Sequence, residues 1–330
     1  MKAIIPVAGA GTNLRPLTFT QPKPLIPVGG KPIIAYILDQ LIEAEIEEYV
    51  FILGYLGDKI QSYLEEAYPK INKKYVFQGE RLGLGQAIYK CREVLKDEEE
   101  ILIQLGDTIL DIDLKVFLHS RHNALAVRKV LDPREFGVVE LDDQGLVTRL
   151  VEKPQIPVSN LAIVGLYLIK EWQKLLHCLK ANMETGRKTK GAFQLTDGLM
   201  CMLENQSRFE VMEVKNWFDC GKKEILLSTN ATMLTRRRQS PNPTAYEGNI
   251  LIPPVSIGAN CQIRHSIIGP NVSVGDNSQI ANSILKDAII GNFTSLEDVV
   301  LQHSIIGNDA VIKGRFQSFN IGDNTEIDMI

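Results

Sequence analysis

The sequence has little cysteine and no long apolar run. Its five cysteines form no CxxC pair and no even framework, so we expect reduced thiols in a cytoplasmic protein. The apolar run Ala3–Ala8 is ended by Gly9 too soon for a secretory signal, and no stretch is long enough to span a bilayer. Disulfide-rich secreted proteins and membrane-spanning proteins are therefore poor matches for this chain.

An excess of positive charge is also missing, because 36 Lys and Arg against 40 Asp and Glu give a net charge of -4. No global positive field draws the protein to nucleic acid or to an anionic membrane, and we expect neither as a partner. The dense basic run Arg236–Arg238 is expected to be a solvated surface patch. With 330 residues, 45% of them hydrophobic, the chain can form two globular domains.

Residues 1 to about 230 alternate strand and helix signals. Continuous apolar runs predict buried strands at 3–8, 49–53, 75–77 and 101–105. Helical periodicity predicts helices over 31–43, near 58–67 and over 84–96. The alternation predicts an α/β fold, a Rossmann-like mixed, mostly parallel sheet with helices on both faces. Between 124 and 168, four strand-like runs with few helices predict an insertion that extends the sheet.

The C-terminal part contains an internal repeat. Each repeat starts with an aliphatic residue followed by Gly, and the starts lie 17, 16, 16 and 15 residues apart; they are Ile257, Val274, Ile290, Ile306 and Ile321. Another aliphatic residue stands six positions after each start. This pattern predicts a short left-handed parallel β-helix of hexapeptide repeats, with aliphatics inside and Gly and Asn at the corners. A β-sandwich with coincidental spacing is the alternative. We predict domains at 1–235 and 249–330, joined by a linker at 236–248.

The segment Gly9–Thr18 follows directly after the first predicted strand. Glycines at this position let backbone N–H groups approach a phosphate, and the carboxyl edge of the sheet is where α/β folds bind ligands. The segment continues neither as GxGxxG nor as a P-loop, so a simple turn explains it equally well when it is considered alone.

The continuation of this segment is more specific. Gln21–Val28 reads QPKPLIPV and is followed by Gly30-Lys-Pro32. Together with Gly9–Thr18, these residues resemble the sugar nucleotidyltransferases, the family of glucose-1-phosphate thymidylyl- and uridylyltransferases. The resemblance extends in order over residues 1–230. It implies an enzyme that makes an NDP-sugar of the dTDP- or UDP-glucose type, and pyrophosphate, from dTTP or UTP and a sugar-1-phosphate, with Mg²⁺ as cofactor.

The resemblance also implies the site residues. The nucleotide site would comprise Ala8, Gly9, Ala10, Gly11, Thr12, Asn13, Gln78, Gly83 and Asp107. The sugar site would comprise Gly137, Glu152, Lys153, Gly165 and Tyr167. Catalytic roles would fall to Lys23, Lys153 and Arg15. Asp107 and Asp219 would share Mg²⁺, a hard cation that prefers oxygen ligands. A carboxamide such as that of Gln78 both donates and accepts, which suits the edge of uracil or thymine.

Two positions depart from the family pattern. Asn13 stands where the family has an Arg that contacts the leaving phosphates. Absence of this positive charge is expected to lower the rate roughly a hundred- to thousand-fold. Gln194 stands near the sugar, where relatives often have Glu. A catalytically weak homologue that binds sugar nucleotide as a regulatory or structural subunit is therefore the alternative.

Two further expectations concern the β-helix. An acyl-transfer activity using His265 or His303 is a third possibility, because such helices also form acyltransferases that use one His. The stacked edges and flat faces of the coils predict self-association or a regulatory contact, and we predict a homo-oligomer.

Overall fold

The computed structural model describes residues 1–96, 100–237 and 246–314. The chain divides into two compact units, the first comprising Met1–Pro27 with Lys31–Leu226 and the second Val28–Gly30 with Leu227–Ile330. Within the described ranges, no helix is both long enough and apolar enough to cross a lipid bilayer. The last helix includes Arg236 and Arg237, and positions 238–245 of the predicted linker lie outside the described residues.

Seven α-helices are found in the described residues: α1 (Ile33–Glu43), α2 (Gly57–Ala67), α3 (Leu84–Lys90), α4 (Leu114–Leu118), α5 (Trp172–Glu184), α6 (Leu195–Glu204) and α7 (Lys223–Arg237). The strands up to residue 219 are β1 (Lys2–Pro6), β2 (Pro27–Val28), β3 (Lys31–Pro32), β4 (Glu48–Leu53), β5 (Asn72–Phe77), β6 (Ile101–Gln104), β7 (Thr108–Asp111), β8 (Asn123–Lys129), β9 (Gly137–Leu141), β10 (Val147–Glu152), β11 (Leu161–Ile169), β12 (Phe209–Glu213) and β13 (Asn216–Asp219). Short 3-10 helices cover Thr12–Leu14, Leu17–Phe19, Lys23–Leu25 and Cys91–Val94, and the last of these replaces the end of the helix predicted over 84–96.

The first unit contains a mixed sheet in the order β10-β9-β11-β6-β1-β4-β5, with β8 beside β11 and β12 beside β8. Strands β6, β1, β4 and β5 are parallel, whereas β11 runs antiparallel to β6, β8 and β9. The mostly parallel α/β sheet and its extension by the insertion are thus confirmed. The residues Ala3, Ile4 and Ile5 of β1 have no exposed surface, as expected for a central strand covered on both faces.

The second unit contains ten short strands in its described part: β14 (Ile250–Leu251), β15 (Val255–Ile257), β16 (Gln262–Arg264), β17 (Ile267–Ile268), β18 (Val272–Val274), β19 (Gln279–Ala281), β20 (Ile284–Ile290), β21 (Ser295–Glu297), β22 (Val300–Ile306) and β23 (Val311–Lys313). All pairings among them are parallel, so the unit is a parallel β-helix, consistent with the left-handed form. The observed register aligns the repeat starts Ile257, Val274, Ile290 and Ile306. The fifth start, Ile321, and Ile327 lie outside the described residues.

Asn and Gly have different structural roles at the corners of the β-helix. Left-handed backbone stacks in three rows: Asn260, Asn277, Phe293 and Asp309; His265, Asn282 and Asp298; and Asn271, Asp287 and His303. The histidines of the acyl-transfer alternative fill such corner positions. Gly275, by contrast, has no positive φ; a Cβ there would lie 2.3 Å from Asn292 Oδ1 and 2.7 Å from its backbone N. The glycine of the repeat therefore allows close approach of the next coil.

One cysteine pair corrects the expectation of five reduced thiols. Cys178 of α5 and Cys201 of α6 form a disulfide, with their Cα atoms 5.7 Å apart. The expectation was wrong for this pair because packing of α5 against α6 places the two side chains opposite each other, without any recognisable spacing motif. Cys91, Cys220 and Cys261 are free.

Candidate active site

A cavity of about 440 Å³ lies at the carboxyl end of β1. Eight of the nine residues predicted for the nucleotide line it: Ala8, Gly9, Gly11, Thr12, Asn13, Gln78, Gly83 and Asp107. Lys23 lines it as well, whereas Ala10 does not. The position agrees with the rule that ligands of α/β sheets bind beyond the carboxyl ends of the strands.

The glycine loop is shaped by Gly11. Gly11 has a φ of +59°, and a Cβ there would lie 2.9 Å from Thr18 Cγ2 and 3.2 Å from Lys23 Cβ. The Thr18 hydroxyl donates a 2.8 Å hydrogen bond to the Gly11 carbonyl and fixes this turn. No atom approaches within 4 Å of a Cβ built on Gly9, so space remains beside the loop. The loop thus combines a fixed backbone with an open wall, as a phosphate site requires.

The segment from Gln78 to Gly83 folds back so that both ends face the cavity. Gln78 Nε2 donates to Gln86 Oε1 at 2.8 Å and to the Gly83 carbonyl at 3.2 Å. Gly83 has a φ of +122°, and a Cβ there would lie 2.4 Å from the Phe193 carbonyl oxygen. Gln78 is buried, so its amide orientation is set by these partners.

Two aspartates meet because β7 pairs antiparallel with β13, which aligns Thr108 with Asp219. Lys23 Nζ donates to Asp107 Oδ2 at 2.6 Å and lies 3.7 Å from Asp219 Oδ1. Burial, together with the charge of Asp107, raises the pKa of Asp219, while Lys23 opposes this effect. Burial acts against the charged form of Lys23, but both carboxylates outweigh it and raise the pKa of Lys23.

The same carboxylates are the residues that could hold a metal ion. In the described ranges, no group of three or more His, Cys, Asp and Glu side chains is arranged to do so. Asp107 and Asp219 nevertheless converge on one point that already holds a cation, the ammonium group of Lys23. Mg²⁺ commonly takes only one or two protein carboxylates and completes its shell with phosphate and water. The donor set therefore fits Mg²⁺.

Of the residues predicted for the sugar, Gly137 and Glu152 lie together. The Thr196 hydroxyl donates to Glu152 Oε2 at 2.7 Å, and a Cβ on Gly137 would lie 3.1 Å from either of these oxygens. Burial raises the pKa of Glu152, and the bond from Thr196 offsets only part of this shift. Gln194, two residues before Thr196, instead donates from Nε2 to the Thr189 carbonyl at 3.1 Å.

The other predicted sugar residues occupy constrained backbone. Lys153 has a φ of 45°, and its backbone N–H donates to the Phe136 carbonyl at 2.9 Å. Gly165 has a φ of +90°, and a Cβ there would lie 2.7 Å from Leu105 Cδ1. Tyr167 is almost fully buried in β11, and burial raises its pKa. A left-handed lysine is uncommon and identifies the turn after β10 as a constrained one.

Two residues near the predicted ligands were not predicted from the sequence, and one predicted residue does not line the cavity. Arg81 lines the cavity, although it belongs to no recognised motif. Thr196 lies two positions after Gln194 and was not among the predicted residues. Arg15, proposed as catalytic, does not line the cavity; its guanidinium lies over the Phe19 ring, 5.0 Å from the centroid. Its catalytic role stays a prediction.

The proteins similar to this chain in sequence include the following three. The nucleotidyltransferase Agl11 of low-salt glycan biosynthesis from Haloferax volcanii is 33% identical over 71% of this chain and 66% of its own length. The bifunctional protein GlmU of Methanocaldococcus jannaschii is 36% identical over 72% and 55%. A glucose-1-phosphate thymidylyltransferase of Streptomyces griseus is 30% identical over 95% and 88%. The chain therefore spans between about half and two thirds of the length of the first two relatives.

A UDP-glucose pyrophosphorylase solved with UDP-glucose superposes with a TM-score of 0.62 at 25% identity, over 72% of this chain and 99% of that one. The family described as nucleotidyl transferase matches residues 2–236. This match covers more than half of the sequence and includes the glycine loop, the aspartate pair and the residues predicted for the sugar. The chain belongs to the nucleotidyl transferase family.

Proposed function

We propose that the protein is a sugar-1-phosphate nucleotidyltransferase of the glucose-1-phosphate thymidylyl- or uridylyltransferase type. The observation that carries this proposal is the convergence of Asp107, Asp219 and Lys23 at the cavity that the glycine loop lines. A cavity bordered by backbone donors, a lysine and two carboxylates suits a nucleoside triphosphate. The names of the thymidylyltransferase and the UDP-glucose pyrophosphorylase point to the same substrate class.

The reaction is one in-line displacement. A phosphate oxygen of the sugar-1-phosphate attacks the α-phosphorus of dTTP or UTP and forms a new P–O bond. The bond from the α-phosphorus to the bridging oxygen breaks, and pyrophosphate leaves with that electron pair. The attacking oxygen is already ionised, so no general base is needed. The chain has to align two anions and offset their repulsion, which is mainly positioning and electrostatics.

The nucleotide side would be held by three features. The backbone N–H groups of the loop Gly9–Asn13 would contact the phosphates, and Gln78 with Gly83 would face the base. Lys23 would offset phosphate charge next to Asp107 and Asp219. These two aspartates would hold Mg²⁺, which when bound supplies charge neutralisation at the phosphates.

The sugar side would orient the attacking molecule. Glu152, fixed by Thr196, would accept hydrogen bonds from sugar hydroxyls, and Gly137 beside it leaves room for the ring. Lys153 would bind the phosphate of the sugar-1-phosphate from its constrained turn. Gly165 and Tyr167 would form the neighbouring wall. Burial of Glu152 makes an unpaired carboxylate costly, so a sugar hydroxyl is a fitting partner.

The proposal is tested by pyrophosphate release. The purified chain is assayed with Mg²⁺, five nucleoside triphosphates and a panel of sugar-1-phosphates, with Asp107→Asn as the control. We expect release with dTTP or UTP that is lost in the control. Absence of release with every pair, from a folded protein that still binds sugar nucleotide, would overturn the catalytic proposal.

The second candidate is a binding subunit of low activity, and Asn13 favours it because a neutral side chain lines the phosphate cavity at that place. The variant Asn13→Arg separates the two candidates. If the wild type is inactive and Asn13→Arg gains pyrophosphate release, the chain is a weakened enzyme that serves as a sensor or partner. If the wild type is already active and the variant changes little, this candidate is excluded.

Three broader expectations stay predictions. These are the domain bounds at 1–235, 236–248 and 249–330, a cytoplasmic location, and assembly as a homo-oligomer. Gel filtration with light scattering tests the last of them, and a monomer at micromolar concentration would contradict it.

A further inference from the structure

The cavity has an uneven distribution of charge. Of the described residues that line it, Lys23 and Arg81 are the cations and Asp107 is the acidic side chain. Lys23 contacts Asp107 at 2.6 Å and Asp219 at 3.7 Å, so two carboxylates offset its charge. Among the side chains that the structure describes, no carboxylate forms an ion pair with Arg81. Of the two cations that line this cavity in the described residues, Arg81 is therefore the one whose charge is not offset by a carboxylate.

The position of Arg81 is set by its neighbours. It lies in the loop between β5 and α3, whose ends are fastened by the hydrogen bond from Gln78 Nε2 to the Gly83 carbonyl. Its guanidinium lies 5.9 Å from the centroid of the Tyr55 ring, over the ring face. The Tyr55 hydroxyl in turn donates to the Phe19 carbonyl at 3.2 Å. The guanidinium thus has an aromatic support that connects it to the end of the segment carrying the glycine loop.

Another part of the cavity lining is uncharged, at Asn13. Asn13 lines the same cavity and can donate a hydrogen bond but carries no charge. A nucleoside triphosphate brings several negative charges into a site where Lys23 is offset by carboxylates. An arginine presents a planar fork of donors that matches phosphate oxygens and stays protonated at any working pH.

We propose that Arg81 is a binding residue for the polyphosphate chain of the nucleoside triphosphate and supplies the cationic contact that Asn13 cannot. This rests on the proposed function to the extent that the cavity holds a nucleotide. The exposed side chain reaches the cavity edge on its aromatic support, so it engages the ligand without giving up another ion pair.

The test is calorimetric titration of the full chain with UTP, UDP and UMP, each in Mg²⁺ buffer at low and high salt. Loss of one charge-assisted phosphate contact corresponds to about 10- to 100-fold in affinity. We expect Arg81→Gln to weaken UTP by this amount, UDP less and UMP little, with a smaller salt dependence than the wild type. Arg81→Lys keeps the charge but loses the planar fork, so it should recover only part of the UTP affinity.

Arg92→Gln is the matched control, because Arg92 also lies over a tyrosine, at 5.0 Å from the Tyr89 centroid, but does not line the cavity. It should bind all three nucleotides as the wild type does. Equal loss of UTP and UMP in Arg81→Gln would place Arg81 at the base and overturn the proposal, as would no loss at all. If the wild type binds no nucleotide, the proposed function fails together with this inference, and that result is distinguishable from failure of Arg81 alone.

Discussion

The two units of the chain are built on contacts of different range. In the β-helix, a corner residue bonds to its equivalent one coil away, as Asp276 does by donating its backbone N–H to Asn292 Oδ1, 16 positions along the chain. In the first unit, Lys23 reaches Asp107 across 84 positions. A repeated short-range contact leaves a visible period in the sequence, whereas a single long-range contact leaves none. The fold of the β-helix can therefore be predicted from its own residues, whereas the site of the first unit can be predicted only by resemblance to a known family.

The largest expected effect comes from the long-range contacts. Asp219→Asn removes one of the two carboxylates at Lys23 and half of the donor set proposed for Mg²⁺. We expect the rate of pyrophosphate release to fall about a thousand-fold, which corresponds to a loss of about 4 kcal/mol of transition-state stabilisation. The assay is steady-state kinetics at saturating Mg²⁺.

Asp111→Asn provides the control for this change. Asp111 belongs to β7, which pairs with the strand of Asp219, but its Oδ2 accepts a hydrogen bond from Asn216 Nδ2 at 2.8 Å. It should keep near wild-type activity. If both variants lost activity equally, the effect would reflect damage to the β7–β13 pair rather than loss of a ligand.

The fold was more accessible to sequence reasoning than the site. The repeat starts Ile257, Val274 and Ile290 are the residues that the observed register pairs, because period and register are the same quantity in a solenoid. Burial on both faces likewise makes β1 readable as a continuous apolar run. The site residues came from the family resemblance, since the partner of Asp107 is determined by strand pairing far along the chain.

The failures have the same origin. The disulfide between Cys178 and Cys201 depends on how two helices pack, and no spacing rule encodes it. Arg81 reaches the cavity because its loop folds back at Gly83, which the sequence shows only as one more glycine. Thr196 acts on Glu152 across 44 positions and carries no local signal. Long-range side-chain partners are the part that composition and period cannot supply.

The second largest effect should arise in the β-helix. Gly275→Ala places a Cβ within 2.3 Å of Asn292 Oδ1 and 2.7 Å of its backbone N, so neighbouring coils have to move apart. We expect a loss of roughly 2–3 kcal/mol in the stability of this unit. Thermal unfolding followed by circular dichroism measures it.

Gly79→Ala is the comparison variant, because no atom lies within 4 Å of a Cβ at that position and its φ is not positive. It should change stability by at most about 0.5 kcal/mol. A Gly275→Ala variant as stable as Gly79→Ala would contradict the view that the repeat glycine is required for close stacking.

A smaller effect is expected at Glu152, with a sign that depends on pH. Burial raises its pKa in the folded state, so the ionised carboxylate opposes folding. This cost is absent below the unfolded-state pKa, about 4.3, and grows as pH rises through the folded-state value. Glu152→Gln should therefore melt higher than the wild type at pH 7.5, and the two curves should converge near pH 4.

The same variant should raise KM for the sugar-1-phosphate about tenfold, because a charged acceptor for hydroxyls is lost. Glu140→Gln in the neighbouring strand β9 is the control, since Glu140 lies 3.6 Å from Arg149 instead of at the site. A Glu152→Gln variant that melts lower at pH 7.5 would show that the bond from Thr196 outweighs the cost of burial.

The smallest effect should be a gain. In the corner row Asn260, Asn277, Phe293 and Asp309, the backbone is left-handed throughout, with φ between 55° and 57°. Asn and Asp tolerate this conformation because their short side chains bond locally, whereas an aromatic residue does not. Phe293 is also 58% exposed and thus has little packing to lose.

Phe293→Asn should stabilise the β-helix by about 0.5–1 kcal/mol, and Asn277→Phe should destabilise it by a similar amount. Chemical denaturation of both variants measures the change in the free energy of unfolding. Opposite signs would confirm that the left-handed backbone of the corner disfavours an aromatic residue at these positions, and a loss in both would mean that Phe293 covers a surface of its own.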